Sequence, residues 1–229
     1  MNLSNETVSV LKNFASINQN LVIKSGKNIS TMSAMKNIVA SAEVKETFPT
    51  EFAIYDLNEF LASVSLFNNP SLDFKDDFVV MTEDGSASKT LKYWYSDPSV
   101  VTTVTKEITM PECEVSFTLQ YDLLSNVQKA AAIIGVPDMV LEGMDSGIAL
   151  LKVTDKKNAT ANDYAVKIDV NNDDGKNHSY KFWFKVENLK FLSGTYDVGV
   201  SSKNISHFVN ANVDIQYWIA LEPESKYDA

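Results

Sequence analysis

The sequence has no arginine and almost no cysteine, and both shortages exclude classes of function. All 20 basic residues are lysines, and they stand against 30 acidic residues, which gives a net charge of −10. Bidentate recognition of bases and phosphates favours arginine, and proteins that grip nucleic acid on an open surface are usually basic. Sequence-specific DNA binding is therefore not expected, whereas weak contact with a duplex, or retention on DNA without affinity, stays open.

Cysteine and histidine are also too few for the common metal sites and catalytic groups. The single cysteine, Cys113, rules out an internal disulfide and a cysteine cluster. The two histidines, His178 and His207, are far apart in sequence and lack ligand spacing. The sequence has neither a phosphate-binding glycine loop nor a nucleophile elbow. We therefore expect no catalytic activity, no metal and no cofactor.

One acidic run, Asp169–Gly175, is similar to a calcium loop. An EF-hand needs glycine at its sixth position and glutamate at its twelfth, where this chain has Asp174 and Tyr180. A hairpin turn rich in residues that tolerate left-handed backbone accounts for the same run without a metal. We interpret it as a turn.

No apolar run approaches the ~20 residues that cross a membrane, and the N-terminus is polar and periodic, unlike a secretory signal. Intracellular residence is therefore expected. The hydrophobic content of 45% and charged content of 22% are typical of a globular protein. A chain of 229 residues suits one large domain or two smaller ones.

Helical periodicity begins at Ser4 and continues to Ile17, with Ser4 as N-cap and Lys12 on the polar face. The stretch FAIYDLNEFL then predicts a strand over Glu51–Tyr55 that runs directly into a helix over Leu57–Phe67. Asp56 is the expected N-cap of that helix, because its carboxylate can accept hydrogen bonds from the first backbone N–H groups.

The second half repeats this order of elements. A helix is predicted over Gln120–Ile134 and a shorter one over Glu187–Leu192, with strands between and after them. Aligning the halves places Lys12 on Lys129. Agreement in element order predicts an α+β fold of two tandem domains with one plan. The predicted boundaries are 1–96 and 112–229, joined by an extended connector over 97–111 that carries proline near both ends.

Four segments carry a resemblance to a known family: LSNETVSVLKNFASIN, EFAIYDLNEFLASVSLF, SDPSVV and YWIALEPESKYD. They are similar to the DNA polymerase sliding clamps of large contractile-tailed bacteriophages. The resemblance implies two clamp-type domains with helices inside and antiparallel sheets outside, closing as a homotrimeric ring around duplex DNA. It further implies a non-catalytic processivity factor that tethers the replicative DNA polymerase and is seated by a clamp loader ATPase. The implied location is the cytoplasm of a phage-infected bacterium, and a role as a DNA-tethered co-activator of late transcription is a further implication.

The resemblance also assigns roles to particular residues. Lys12, Lys129 and Lys190 would face the DNA, although any one of them alone is typical of a solvated surface. Subunits would join through sheet edges, with Thr90–Tyr95 of one chain beside Ala165–Val170 of the next.

Partner proteins would dock short apolar peptides near the connector and the C-terminus. The matching positions are Val104, Ile108, Met110, Leu221 and Pro223. These side chains could equally pack the seam between the domains, so both interpretations stay open.

A different class of protein also fits the composition. A phage structural or adhesion module would be acidic, rich in β-structure and poor in cysteine, but it would not stimulate a polymerase. A hydrolase would need a catalytic site that the sequence does not offer.

Overall fold

The computed structural model describes residues 1–84, 86–105, 108–144, 147–172 and 178–228. The chain divides into two compact units, Met1–Glu107 and Ile108–Ala229. This division falls within the predicted connector. The last three residues of the calcium-like run, Asp173 to Gly175, lie outside the described residues.

The first unit contains two α-helices and two antiparallel sheets among its described residues. One sheet has the strand order β4-β1-β2-β3 and the other the order β5-β6-β7. The elements are α1 (Asn5–Ile17), β1 (Leu21–Ile23), β2 (Gly26–Met32), β3 (Ile38–Phe48), β4 (Phe52–Ile54), α2 (Leu57–Ser65), β5 (Pro70–Phe74), β6 (Phe78–Glu83) and β7 (Ser86–Trp94).

Helix α1 forms because an apolar stripe and a capping residue agree. The Ser4 hydroxyl accepts a hydrogen bond from the backbone N–H of Thr7 at 3.2 Å, as predicted for an N-cap. Val10, Leu11 and Phe14 are fully buried on the face that contacts α2 and strands β2 and β3. The opposite face of α1 is left to solvent.

Helix α2 begins where the sequence predicts, at the junction in FAIYDLNEFL. Asp56 Oδ1 accepts hydrogen bonds from the backbone N–H groups of Asn58 at 2.9 Å and Glu59 at 3.2 Å. The helix ends at Ser65 rather than at Phe67. The backbone leaves helical geometry by Asn69, which adopts a left-handed conformation with φ 60°.

The second unit contains one α-helix and two antiparallel sheets among its described residues. The strand orders are β12-β8-β14-β15-β16 and β11-β10-β9-β13-β17, and the helix α3 contacts β10 and β11. The elements are β8 (Val115–Leu119), α3 (Tyr121–Ile134), β9 (Asp138–Gly143), β10 (Ile148–Thr154), β11 (Tyr164–Asp169), β12 (Asn171–Asn172), β13 (Ser179–Lys185), β14 (Tyr196–Ser201), β15 (Ile205–Asn210), β16 (Ile215–Ala220) and β17 (Lys226–Asp228).

The short helix predicted over Glu187–Leu192 is wrong, because only a single 3₁₀ turn forms, over Val186–Asn188. The residue at the cap position is Lys185, which offers no acceptor to the first N–H groups. The backbone of Leu192 instead finds tertiary partners: its N–H donates to the hydroxyl of Tyr217 at 3.0 Å, and its carbonyl accepts from the hydroxyl of Tyr196. Helical hydrogen bonds are therefore replaced by side-chain ones.

The sequence pattern does not predict strand β15, because polar residues occupy some of its buried positions. Ser206 and Asn210 are both buried, and Phe208 lies between them. The Ser206 hydroxyl donates to the carbonyl of Ile219 at 2.9 Å, which removes the cost of burying it. The short strands β5 and β17 are also absent from the prediction, and Asn171 and Asn172, interpreted as part of a turn, form strand β12 beside β8.

The N-cap of α2 makes a stability prediction. Replacing Asp56 with alanine should cost about 1 kcal/mol of unfolding free energy, because two backbone N–H groups lose their acceptor. Asp56→Asn keeps an acceptor oxygen and should lose much less. Urea unfolding of both variants measures the difference, and an alanine variant as stable as the asparagine variant would contradict the capping role.

Candidate nucleic-acid interface

The three predicted DNA-facing lysines are all exposed, and two of them lie on α-helices. Lys12 lies on the polar face of α1 in the first unit. Lys129 lies on the polar face of α3 in the second unit. Lys190 follows the 3₁₀ turn of the second unit rather than lying on an α-helix.

Within the second unit, the segments that carry Lys129 and Lys190 are joined. The side-chain amide of Gln128 donates to the backbone carbonyl of Leu189 at 2.7 Å. Gln128 and Leu189 are the immediate neighbours of the two lysines. The segment after the 3₁₀ turn is therefore held against α3 although it is not helical.

The exposed faces of the three helices carry little net charge. Lys12 and Lys129 are balanced by the exposed carboxylates of Glu59 on α2 and Asp122 on α3. The remaining exposed side chains on these helices are small, amide-bearing or apolar, apart from Tyr121. They are Asn5, Ser9 and Ser16 on α1, Asn58, Ala62 and Ser65 on α2, and Tyr121, Asn126, Ala132 and Ile133 on α3.

Two large apolar side chains on the helical surfaces were not foreseen. Ile133, near the end of α3, is 83% exposed, and Leu66, just after α2, is 69% exposed. Helical periodicity places neither of them on the buried stripe, so the pattern could have indicated their exposure. No chemical motif in the sequence indicates a functional role for Ile133 or Leu66.

A carboxylate from strand β3 fixes the start of α1. Glu46 Oε1 accepts from the backbone N–H of Ser4 at 2.5 Å, and Glu46 Oε2 accepts from the hydroxyl of Thr7. Burial works to raise the pKa of Glu46, but the hydrogen bonds from Thr7 and Ser4 outweigh it, so the pKa lies below its ordinary value. The helix that presents Lys12 is thus anchored to the sheet by a charged group.

A second charged network fixes the C-terminal segment. Lys156 Nζ lies 3.0 Å from Glu222 Oε2 and 2.8 Å from Glu224 Oε2. Burial works to lower the pKa of Lys156, but these two carboxylates outweigh it and hold the pKa above its ordinary value. Beside them, Lys185 Nζ lies 2.5 Å from the buried Asp138.

The residues predicted for a partner-peptide pocket have different exposures. In the first unit, Val104 is half-buried. In the second unit, Ile108 and Met110 are half-buried, Leu221 is buried and Pro223 is exposed. Pro223 is thus exposed to solvent, whereas the side chain of Leu221 is buried. The pocket itself stays a prediction.

The two strands predicted to join subunits both lie at sheet edges. Strand β7 ends the order β5-β6-β7, and strand β11 ends the order β11-β10-β9-β13-β17. Such edges leave one row of backbone N–H and C=O groups without a strand partner within their sheets.

Groups of histidine, cysteine and carboxylate side chains that could hold a metal do not occur among the described residues. His207 instead stacks on Trp218 with ring centroids 4.9 Å apart, and His178 lies beside Tyr227. Within the same part of the chain, no helix is both long and apolar enough to span a membrane.

Solved structures with a similar fold define the class of this protein. The chain aligns with proliferating cell nuclear antigen (PCNA) from Entamoeba histolytica at a TM-score of 0.67 and 14% identity, covering 95% of both chains. A PCNA2–PCNA3 complex from Sulfolobus tokodaii gives a TM-score of 0.69 at 10% identity, covering 95% of this chain and 96% of that chain. The fold is therefore that of the DNA clamps, with tandem α+β domains as predicted.

Sequence relatives then define the family. The sliding clamp of Vibrio phage KVP40 is 33% identical over 226 residues, covering 97% of this chain and 99% of that protein. The sliding clamps of Escherichia phage RB69 and Enterobacteria phage T4 are 28% and 25% identical, covering 100% of both sequences in each case. A family model described as DNA polymerase processivity factor matches residues 4–102. The chain belongs to this family of sliding clamps, as the sequence segments predicted.

The Glu46 anchor predicts a pH-dependent contribution to stability. Because the pKa of Glu46 is lowered by folding, its contribution is present above the pKa of an unfolded glutamate, ~4.3, and is lost as the pH falls through the folded value. Glu46→Gln should therefore cost about 1 kcal/mol near pH 7, the charged hydrogen bonds being discounted for partial exposure.

Urea unfolding of the wild type and of Glu46→Gln, each at pH 7 and below pH 4, tests the anchor. The gap between the two proteins should narrow in acid. A gap that stays constant across this range would show that the carboxylate charge does not anchor α1.

Proposed function

We propose that this chain assembles as a homotrimeric ring around duplex DNA and tethers the replicative DNA polymerase for processive synthesis. The observation that carries the proposal is full-length membership of the sliding-clamp family, combined with helices whose exposed faces carry little net charge. The role is non-catalytic, since retention on DNA requires closure of a ring rather than a reaction. Seating the ring on DNA falls to a clamp loader ATPase, which supplies the nucleotide hydrolysis.

The charge of the helical faces suits sliding. A helix of the length of α1, 13 residues, extends about 20 Å, and duplex DNA carries one phosphate charge per about 1.7 Å. Roughly ten phosphates would therefore pass such a helix at any moment. A few lysines among serine and asparagine attract the backbone loosely and without reading sequence. Tight phosphate contacts would act as brakes, whereas a closed ring needs little affinity to stay on DNA.

Lys12, Lys129 and Lys190 are the proposed DNA-facing cations. Their positive charge is partly offset by the exposed carboxylates of Glu59 on α2 and Asp122 on α3. The association of the ring with DNA should consequently depend weakly on salt, since few counterions are released.

Partner proteins are proposed to dock apolar peptides beside the connector and the C-terminal segment. One solved relative of the fold supports this mode, since it shows the C-terminal region of FEN-1 bound to A. fulgidus PCNA, at a TM-score of 0.67 and 13% identity over 96% of both chains. The candidate contacts are Val104, Ile108, Met110, Leu221 and Pro223. The same docking would allow the clamp to act as a DNA-tethered co-activator of late transcription. These events belong to the cytoplasm of the infected bacterium.

Ring closure is proposed to pair β7 of one subunit with β11 of the next. Each strand gains the backbone partners that its own sheet does not supply, so closure also protects two edges from unwanted association. The paired residues would be Thr90–Tyr95 and Ala165–Val170.

The oligomeric state is the first test of this proposal. Light scattering on the purified chain should give a mass near three times 25.4 kDa at micromolar concentration. A mass of one chain at every concentration reached would contradict a ring that closes without its loader.

The DNA-facing lysines are tested by removing charge from the helices. Replacing Lys12 and Lys129 together with alanine should lower loading and polymerase stimulation several-fold, while the trimer mass stays the same. The matched control replaces Lys24 and Lys203, two exposed lysines outside the helices, and should leave stimulation unchanged. Equal stimulation by both double variants at physiological salt would refute the assignment of Lys12 and Lys129.

A further inference from the structure

An open groove of about 460 Å³ lies at one end of the β5-β6-β7 sheet in the first unit. Its base is apolar, because Phe52 is buried there and its ring packs 5.0 Å from that of Tyr95. Trp94, at the end of β7, is 60% exposed and forms one wall. The groove thus offers aromatic surface at the end of the edge strand.

The rim of the groove is acidic. Its carboxylates are those of Glu51, Asp76, Asp77 and Asp97, all of them exposed. Asp97 uses one oxygen to accept the backbone N–H of Ser99 at 2.8 Å. Across the part of the chain that the structure describes, no lysine forms an ion pair with any of these carboxylates; the nearby Lys75 pairs with Asp73 instead. The rim therefore presents negative charge that its own subunit does not neutralise.

The groove is continuous with the edge of the sheet. Asp76 and Asp77 lie in the turn between β5 and β6, and the backbone N–H of Tyr95 donates to the carbonyl of Asp77 at 3.0 Å. This turn therefore lies beside the last residues of β7. A strand that pairs with β7 must bring its own neighbouring turn either to this acidic end or to the opposite end.

Strand β11 carries a basic residue in the connection that precedes it. Residues 155–163 join β10 to β11, which pair with Val153 opposite Tyr164. Their two lysines, Lys156 and Lys157, are matched in number by two aspartates, Asp155 and Asp163. Lys157 is exposed in this connection, and its backbone N–H is fixed by Asp155 Oδ1 at 2.9 Å. Among the described residues no carboxylate forms an ion pair with the Lys157 side chain, whereas the neighbouring Lys156 is held by Glu222 and Glu224.

The charges of Lys89, Lys157 and Asp169 favour one direction of pairing between the two edges. With antiparallel strands, Lys89 near the start of β7 lies towards Asp169 at the end of β11, and the acidic groove lies towards Lys157. With parallel strands, Lys89 would lie towards Lys157, and Asp169 would lie towards the groove. Like charges would then meet at both ends, which disfavours that arrangement. Antiparallel pairing also matches every strand pair described within the two units.

We propose that the groove receives the β10–β11 connection of the next subunit, with Lys157 of the partner subunit seated between the carboxylates of Asp76 and Asp77. This inference rests on the proposed pairing of β7 with β11 and adds to it a second, side-chain contact. The occupant is a second copy of this chain, because the groove continues the edge that closes the ring and its carboxylates complement the exposed ammonium group of Lys157. The contact sets the direction of the strands and adds salt-sensitive affinity to each interface.

This contact is tested by reversing the charge of Lys157, by reversing the charges of Asp76 and Asp77, and by combining all three changes in one protein. The variants are Lys157→Glu, Asp76→Lys with Asp77→Lys, and the triple variant that carries all three changes. Sedimentation velocity at low salt gives the concentration at which half of each protein is trimeric. A matched control, Lys203→Glu, makes the same change in net charge as Lys157→Glu on an exposed turn outside the groove. Circular dichroism confirms that each variant is folded.

Reversal on either side alone should raise the half-association concentration about fivefold or more, which corresponds to the ~1 kcal/mol of an exposed ion pair. The triple variant should recover most of the loss, and the control should not differ from the wild type. All differences should disappear near 1 M salt, where the screening length falls to about 3 Å.

Three outcomes would overturn the contact. In the first, the wild type is trimeric and every variant assembles as it does, a result that refutes the contact but not the proposed ring. Another is a triple variant no better than the single-sided ones. The third is reduced polymerase stimulation by the Asp76→Lys, Asp77→Lys variant with unchanged assembly, which would assign the groove to a different protein. A wild type that is monomeric throughout would instead contradict the proposed ring itself.

Discussion

The packing of one face of each helix onto an antiparallel sheet is the constraint on which the rest of this structure depends. On α1, Val10, Leu11 and Phe14 are buried against strands and against α2, which commits the opposite face to solvent. The caps then decide where each helix begins. Ser4 and Glu46 hold the start of α1, and Asp56 holds the start of α2. A surface built in this way presents the outward side chains of the helices to solvent.

The exposed surface of the helices is suited to weak contact with DNA rather than to tight binding. Lys12 and Lys129 are offset by Glu59 and Asp122, so the exposed faces of the helices are close to neutral in net charge. A protein that held DNA by contacts alone would be poorly served by such a surface, because phosphate neutralisation supplies most of that affinity. A ring is served well by it, since closure prevents escape and weak contacts permit movement. Because retention by a ring does not require a basic surface, a chain with a net charge of −10 can belong to a family of DNA polymerase processivity factors.

Much of this arrangement could be predicted from residue patterns. The stripe in α1 and the Asp56 cap of α2 are local features, and local hydrogen-bonding chemistry fixed both correctly. The segment around Leu192 could not be predicted in the same way, because Tyr196 and Tyr217 approach it from elsewhere in the chain and replace helical hydrogen bonds. Strand β15 was hidden for a related reason: its buried Ser206 is satisfied by a carbonyl on another strand.

The sequence predicts which lysines of the candidate site are exposed. It does not predict how far nearby carboxylates offset their charge. The exposure of Lys12 and Lys129 follows from helical spacing, whereas the anchoring role of Glu46 depends on a strand that folds back onto the helix start. We propose that the chain acts by encircling DNA. The most direct measurement is the stimulation of the cognate polymerase on primed circular DNA with its clamp loader, before and after the circle is linearised. We predict strong stimulation on the circle and its loss on linear DNA, because a ring slides off free ends. Stimulation that survives linearisation undiminished would contradict the account.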